Sequence, residues 1–187
     1  PSALFGIGTV IGLYFLARNL ASFLHSSSKA EWAERFALFA SFFLATSFWH
    51  INFSRIGFRA IMAPFFLIWG LYLLFEMLRH LQEGRKRPAL ISALIGGAVY
   101  GLGFHSYIAY RATPLLILFV LWLGWKKIPK SHQRTFFLAS GIFILASILV
   151  TLPLLLYFIQ NPQDFLGRTS QISVFSSDSL ILDLLKN

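Results

Sequence analysis

The sequence predicts an all-α fold: a polytopic transmembrane helix bundle of about six spans, with a polar site carried by its outer-face loops. Three observations lead to this class. Hydrophobic residues make up 57% of the 187 residues and charged residues only 12%, about half the charged share of a soluble domain. The apolar residues fall into long uncharged runs. The basic residues gather in the short loops between those runs, as they do in proteins that cross a bilayer.

The uncharged runs give the predicted spans in order. A helix needs about 20 residues to cross roughly 30 Å of hydrocarbon. The fifth run has 14 residues and reaches that length only if its helix begins near Tyr107 and the Arg111 side chain extends back to the interface. We therefore treat residues 1–187 as a single transmembrane region, with 160–187 as an outer-face segment after the last span. The six runs are 1–17, 36–54, 60–75, 88–110, 112–125 and 135–163.

The distribution of positive charge predicts the orientation. Eleven of the 16 Lys and Arg residues lie in the loops after spans one, three and five, so these loops are expected to be cytoplasmic. The segments "HINFSRIGFR" (50–59) and "HSYIAYR" (105–111) and the C-terminal stretch then face outward. Apart from Lys186 near the end, the outer face carries four basic residues: Arg55, Arg59, Arg111 and Arg168.

Two pairs of glycines inside the runs predict close helix packing. Gly8 and Gly12 are four residues apart, and so are Gly97 and Gly101. This spacing places both members of a pair on one helix face, where the missing side chains let a neighbouring helix approach.

The polar residues of the outer segments suggest an anion site. If the backbone there is helical, Arg55 and Arg59 project from one face and could hold one anion together. The planar guanidinium fork donates paired hydrogen bonds to phosphate and keeps its proton. Anchoring of spans by Trp, Tyr and Arg at the interface explains any single one of these residues as well. Arginine beside hydroxyls or amides, however, recurs in every outer segment.

Four stretches of the chain resemble bacterial membrane glycosyltransferases of the GT-C superfamily, in particular the protein O-mannosyltransferase-like and lipid A aminoarabinose transferase-like group. They are "PSALFG…TV…LYFLARNL", "ALFASFFLATSFWHINFSRIGFRA", "GLGFHSYIAYRATPLL" and "NPQDFLGRTSQISVF". The resemblance implies an internal portion of a longer multi-pass protein of the bacterial cytoplasmic membrane. It also implies hexosyl or pentosyl transfer from a polyprenyl-phosphate sugar donor to a lipid, glycan or protein acceptor on the outer face.

The resemblance and the chemistry of the departing phosphate suggest roles for individual residues. Preorganised positive donors stabilise charge that develops on a leaving phosphate. No catalytic residue is named, because the resemblance places the catalytic acid ahead of residue 1. No metal ligand is named either, and the pattern requires no cofactor but leaves a divalent metal open. We expect the donor phosphate to be bound by Arg55, Arg59, Arg111 and Arg168, and the sugar or the arginines to be oriented by His50, Asn52, Tyr107 and Tyr110.

Other classes of protein remain as alternatives at this point. A non-catalytic membrane scaffold would also show several spans without a catalytic acid. A transporter or flippase of lipid or polysaccharide would place ionisable residues near the bilayer midplane, whereas here they lie at the ends of the runs. No basic, aromatic-lined groove indicates nucleic acid, so the expected partners are the donor, the acceptor and membrane lipids.

Overall fold

Every regular element in the computed structural model, which describes residues 1–24 and 30–161, is helical. Five helical segments are long and apolar enough to cross a membrane, and a bent pair of helices makes a sixth if it is counted as one span. The prediction of an all-α fold is thereby confirmed, with five to six helices long and apolar enough to span a membrane. The helices are α1 Ser2–Leu24, α2 Ala30–Thr46, α3 Phe48–Ile56, α4 Met62–Gln82, α5 Lys86–Leu102, α6 Pro114–Lys127 and α7 Gln133–Gln160.

Several helices extend beyond the uncharged runs that predicted them. α1 continues through Arg18, and α4 continues through Glu76 and Arg79. A charged side chain ends an apolar run without ending a helix, because its stem can reach toward the interface. The short fifth run gains length in the same way: a helical turn over Ile108–Ala112 precedes α6, and the combined segment Ile108–Lys127 has 20 residues.

The second predicted span, 36–54, is not one straight helix. α2 ends at Thr46, Ser47 has an extended backbone, and α3 departs at an angle of 57°. The Thr46 hydroxyl donates to the Phe42 carbonyl oxygen at 2.9 Å, a bond that bends helices because it competes with the backbone ladder. Hydropathy alone does not register this break, since the residues on both sides of it are apolar.

α4 forms the centre of the first of two compact units, Pro1–Thr151. It packs against both α1 and α5, and its residues Leu74, Met77 and Leu78 have no exposed surface. The Trp69 indole of α4 donates to the Gly8 carbonyl oxygen of α1 at 3.0 Å. α5, α6 and α7 complete the core with Ala89, Ala93, Ile117, Val120, Leu121, Phe136, Ala139 and Phe143.

In the second unit, Leu152–Asn187, the described residues form the end of α7. Pro153 lies inside the helix. The Tyr157 and Phe158 rings contact each other edge to face, with centroids 5.7 Å apart. Ile159 is 76% exposed, which suits a helix whose surroundings are lipid.

The glycine pairs lie where helices touch most closely. A Cβ on Gly97 would lie 2.2 Å from the Phe143 carbonyl oxygen, and one on Gly101 would lie 2.7 Å from the Ser147 carbonyl oxygen. α5 therefore rests on the backbone of α7. At Gly8 and Gly12 of α1, a Cβ would lie within 3.0 Å of a ring or methyl group of α4, so these two helices also approach closely. The predicted close approach is confirmed for both pairs.

Gly97→Ala is expected to destabilise the protein, whereas Gly141→Ala is not. The added methyl at position 97 forces α5 away from the α7 backbone, at a cost of about 1–3 kcal/mol. A Cβ at Gly141 of α7 meets nothing within 4 Å, so this substitution is the matched control. Thermal unfolding of the two variants in detergent measures the difference. Equal melting temperatures would show that close approach at Gly97 is unimportant.

Candidate functional site

One end of the bundle carries most of the predicted site residues, and α3 forms one part of it. The carbonyl oxygen of Gly6 in α1 can only accept, so the His50 Nε2 donates to it, at 3.1 Å. The Ser54 hydroxyl donates to the His50 carbonyl oxygen at 2.7 Å. A Cβ on Gly6 would lie 2.2 Å from Ser54 Oγ. α3 therefore lies directly against the first turns of α1, with His50 and Asn52 half-buried.

The expectation that Arg55 and Arg59 share one helix face is wrong. α3 ends at Ile56, and Gly57 takes the left-handed conformation with φ 77° and ψ 23°. Glycine adopts this conformation without the strain that a Cβ brings. The chain then extends through Phe58 before a short 3₁₀ turn, Arg59–Ile61, leads into α4. Both arginines are exposed, on either side of this turn and not on successive turns of one helix.

The second part of this end is the connection between α5 and α6, residues 103–113. Its centre is Tyr110, which is only 2% exposed. The Tyr110 hydroxyl donates to the Tyr100 carbonyl oxygen at 3.1 Å, and the Tyr110 ring packs edge to face on Phe104. A Cβ on Gly103 would lie 2.1 Å from the Tyr110 ring. Tyr110 is therefore a packing residue that fixes the connection, and its buried position does not suit the predicted contact with a sugar.

Aromatic contacts join the two parts. The Phe53 ring of α3 packs on Phe58 with centroids 5.6 Å apart, and Phe58 packs edge to face on Tyr107 at 6.1 Å. The predicted segments 50–59 and 105–111 thus lie side by side. We call this part of the molecule, comprising α3, residues 57–61 and residues 103–113, the arginine end. Arg111 is half-buried within it, and Tyr107 is exposed.

Two other parts of the prediction, Arg168 with its segment and a possible metal, add no described residue to the arginine end. Arg168, and all of the 160–187 outer segment after Asn161, lie outside the described residues. Among the residues that the structure describes, no group of three or more His, Asp or Glu is placed to hold a metal ion.

The carboxylates of the described chain lie away from the arginine end. They are at the start of α2, in the second half of α4 and just after it: Glu31, Glu34, Glu76 and Glu83. Three arginines pair with them, as Arg35 does with Glu31 at 3.7 Å and Arg79 with Glu83 at 3.2 Å. Arg85 also pairs with Glu83. Within the described chain, Arg55 and Arg59 form no salt bridge, so their positive charge is not neutralised there.

A second polar cluster, which the sequence reasoning missed, lies between α1 and α4 near the opposite end. The Asn19 amide donates to Glu76 Oε1 at 2.7 Å, and Arg79 donates to Glu76 Oε2 at 2.5 Å. His80 Nε2 lies 3.5 Å from the same oxygen. The spacing of Glu76, Arg79 and His80 at three and four residues was a readable signal. The partner Asn19, 57 residues away, was not.

Comparison with known proteins adds no relative: no family model, no curated protein and no solved structure matches this chain. The helices themselves define a class, an all-helical protein with five to six segments that are long and apolar enough to span a membrane.

Tyr110→Ala and Tyr107→Ala are expected to differ sharply in stability. Removing the Tyr110 ring leaves a cavity beside Tyr100 and Phe104, which costs about 3 kcal/mol. Tyr107 is 37% exposed and loses mainly its contact with Phe58, so its truncation costs about 1 kcal/mol or less. Thermal unfolding of both variants measures this. Equal losses of stability would contradict the assignment of Tyr110 to packing and Tyr107 to the surface.

Proposed function

We propose that the arginine end binds the phosphate of a polyprenyl-phosphate-linked sugar, and that the chain is the portion of a membrane glycosyltransferase that holds this donor. The observation that carries the proposal is that two exposed arginines flank the turn at Gly57, at an end where the described residues include no carboxylate. Arg35, Arg79 and Arg85 each pair with a glutamate, whereas Arg55 and Arg59 are exposed and lack a salt-bridge partner in the described chain.

The electrostatics of the arginine end support an anionic ligand. Two guanidiniums flank the turn at Gly57, and the described residues around them contribute no carboxylate. Like charges close together repel, and an anion bound between them removes that repulsion. A guanidinium fork matches the oxygens of phosphate. Because the two side chains approach from either side of a turn, they would contact different oxygens of one phosphate.

The apolar surface of α3 supports a ligand with a lipid chain. Phe48 is 71% exposed, Trp49 67% and Ile56 74%, and no residue of α3 is buried. A short helix with exposed aromatics and a terminal arginine is suited to the boundary between headgroups and hydrocarbon. A polyprenyl chain can lie along this surface while its phosphate reaches Arg55 and Arg59.

The sugar would lie toward residues 103–113. Tyr107 and its neighbour Phe58 form an exposed aromatic surface beside the arginines, and Arg111 lies on the same connection. Charge that develops on the departing phosphate oxygens in the transition state would be stabilised by the guanidiniums. The proposal assigns neither the general base nor the acceptor site to a described residue.

Arg55→Ala and Arg59→Ala are each expected to weaken donor binding about tenfold and to lower kcat/KM for sugar transfer about a hundredfold. Binding is measured with a radiolabelled polyprenyl-phosphate sugar and the purified protein. Transfer is measured with the complete protein that contains this chain.

The matched control is Arg87→Ala. Arg87 is also exposed and forms no salt bridge among the described residues, but it lies at the start of α5, away from the arginine end. An equal loss of binding in Arg87→Ala would indicate attraction by net charge alone. Unchanged binding in both arginine-end variants, with normal folding, would remove the proposed site. Donor binding without transfer by the complete protein would favour a scaffold.

A further inference from the structure

A cavity of about 330 Å³ opens between α1 and α4, away from the arginine end. Its walls are mainly polar: α1 contributes Arg18, Asn19 and Ser22, and α4 contributes Tyr72, Glu76 and Arg79. This volume is at the lower end of the range for small-ligand sites. Glu76 lies six residues before the end of α4, a depth of about 9 Å along the helix. The cavity is therefore near the ends of both helices and not at their midpoints.

The carboxylate in the cavity is already fully engaged, so the cavity does not suit a cation. Glu76 accepts from the Asn19 amide on one oxygen, and its other oxygen is held by Arg79 with His80 Nε2 3.5 Å away. Glu76 is also largely buried, with 13% of its side chain exposed. A metal or ammonium group would have to displace these donors. The role of Glu76 is to join α1 to α4 and to hold the Arg79 guanidinium at the cavity wall.

Arg18 carries the positive charge of the cavity lining that Glu76 does not balance. Two guanidiniums, Arg18 and Arg79, and one carboxylate, Glu76, line the cavity, so the lining carries one excess positive charge. Arg79 is shared between Glu76 and Glu83. Arg18 forms no salt bridge within the described part of the chain. An anion with a single negative charge would neutralise the lining, and a phosphodiester carries that charge.

The cavity also has an aromatic wall that continues along the bundle surface. Phe15 lines it and packs on Tyr72 with centroids 5.8 Å apart and on Trp69 at 6.3 Å. Phe15 is 38% exposed. A ligand with its phosphate at Arg18 can thus extend an acyl chain past Phe15 along the outside of α1 and α4. A soluble phosphate would leave this wall unused.

We propose that this cavity binds the phosphodiester headgroup of an anionic membrane lipid. The Arg18 guanidinium would donate to the phosphate oxygens, and the Tyr72 hydroxyl would donate a further hydrogen bond. The helix ends near this cavity carry further basic residues, including Arg85, Lys86, Lys126 and Lys127, and basic pockets between spans at such a surface bind anionic headgroups. This site is separate from the donor site proposed above and does not depend on it.

Arg18→Gln is expected to weaken the binding of phosphatidylglycerol about tenfold, because the charged donor to the phosphate is lost while a polar, unbranched side chain remains in the helix. Lipid binding is measured by native mass spectrometry of the purified protein in detergent, with phosphatidylglycerol and with phosphatidylcholine. The control is Arg87→Gln, which removes the same charge from an exposed position outside the cavity and should change binding less than about twofold.

A second variant, Ser22→Trp, fills the cavity without changing its charge. Ser22 is exposed and its hydroxyl bonds only to the Arg18 carbonyl oxygen of its own helix, so the variant should fold. It should weaken phosphatidylglycerol binding as Arg18→Gln does. Inorganic phosphate should not displace the lipid at equal concentration.

Four results would overturn the proposal. Equal losses in Arg18→Gln and Arg87→Gln would indicate diffuse attraction to surface charge. Unchanged binding in Ser22→Trp would place the lipid elsewhere. Equal binding of phosphatidylcholine would show that the lipid's net charge is not recognised. Displacement by equimolar inorganic phosphate would indicate a site for free anions and not for lipid.

Discussion

Close approach of helix backbones at glycine is the interaction on which the rest of this structure depends. In hydrocarbon, apolar side chains gain little by leaving lipid for one another, so helices associate through van der Waals contact and hydrogen bonds at short range. α5 rests on the α7 backbone at Gly97 and Gly101, and α1 rests on α4 at Gly8 and Gly12. Large apolar side chains such as Phe39 and Phe43 face outward instead, 64% and 68% exposed.

These contacts near the helix axes fix what happens at the helix ends. Because α5 and α7 approach closely at these glycines, the Thr151 hydroxyl of α7 can donate to the Gly101 carbonyl oxygen at 3.3 Å. Shortly after Gly101, the connection to α6 packs the Tyr110 ring against Gly103, and the Tyr110 hydroxyl donates to the Tyr100 carbonyl oxygen. The surface of that connection, with Tyr107 and Arg111, therefore has a defined position next to Phe58. Ring packing and hydrogen bonds to backbone carbonyl oxygens hold this end in the described part of the chain.

The sequence was sufficient for the features that depend on composition and on regular spacing. Uncharged runs predicted the helices because a bilayer demands long apolar segments, and the glycine pairs predicted where helices meet. The same runs placed some helix ends too early, where a run meets a charge. α1 continues past Arg18 because a helix can carry a charge where its end reaches the interface. The break at Ser47 was not predicted, since it follows from local hydrogen bonding within a continuous apolar run.

In the candidate site, too, some features could be predicted from the sequence and others could not. That segments 50–59 and 105–111 lie at one end followed from counting spans, and the contact of Phe58 with Tyr107 agrees with it. Arg55 and Arg59 flank a turn because of the backbone conformation at Gly57. Tyr110 is buried because its ring occupies the position that a side chain at Gly103 would take. The pairing of Asn19 with Glu76 joins residues far apart in the chain. A single sequence gives no periodic signal for such contacts.

Under the proposed function, Arg55 and Arg59 lie on the outer face of the membrane, opposite the basic loops. The chain contains no cysteine, so single cysteines report position without a background. Arg59→Cys and Arg87→Cys should be labelled in intact cells with a membrane-impermeant maleimide. The account predicts rapid labelling at position 59 and labelling at position 87 only after the membrane is permeabilised. Labelling of position 87 in intact cells, with position 59 protected until permeabilisation, would contradict it.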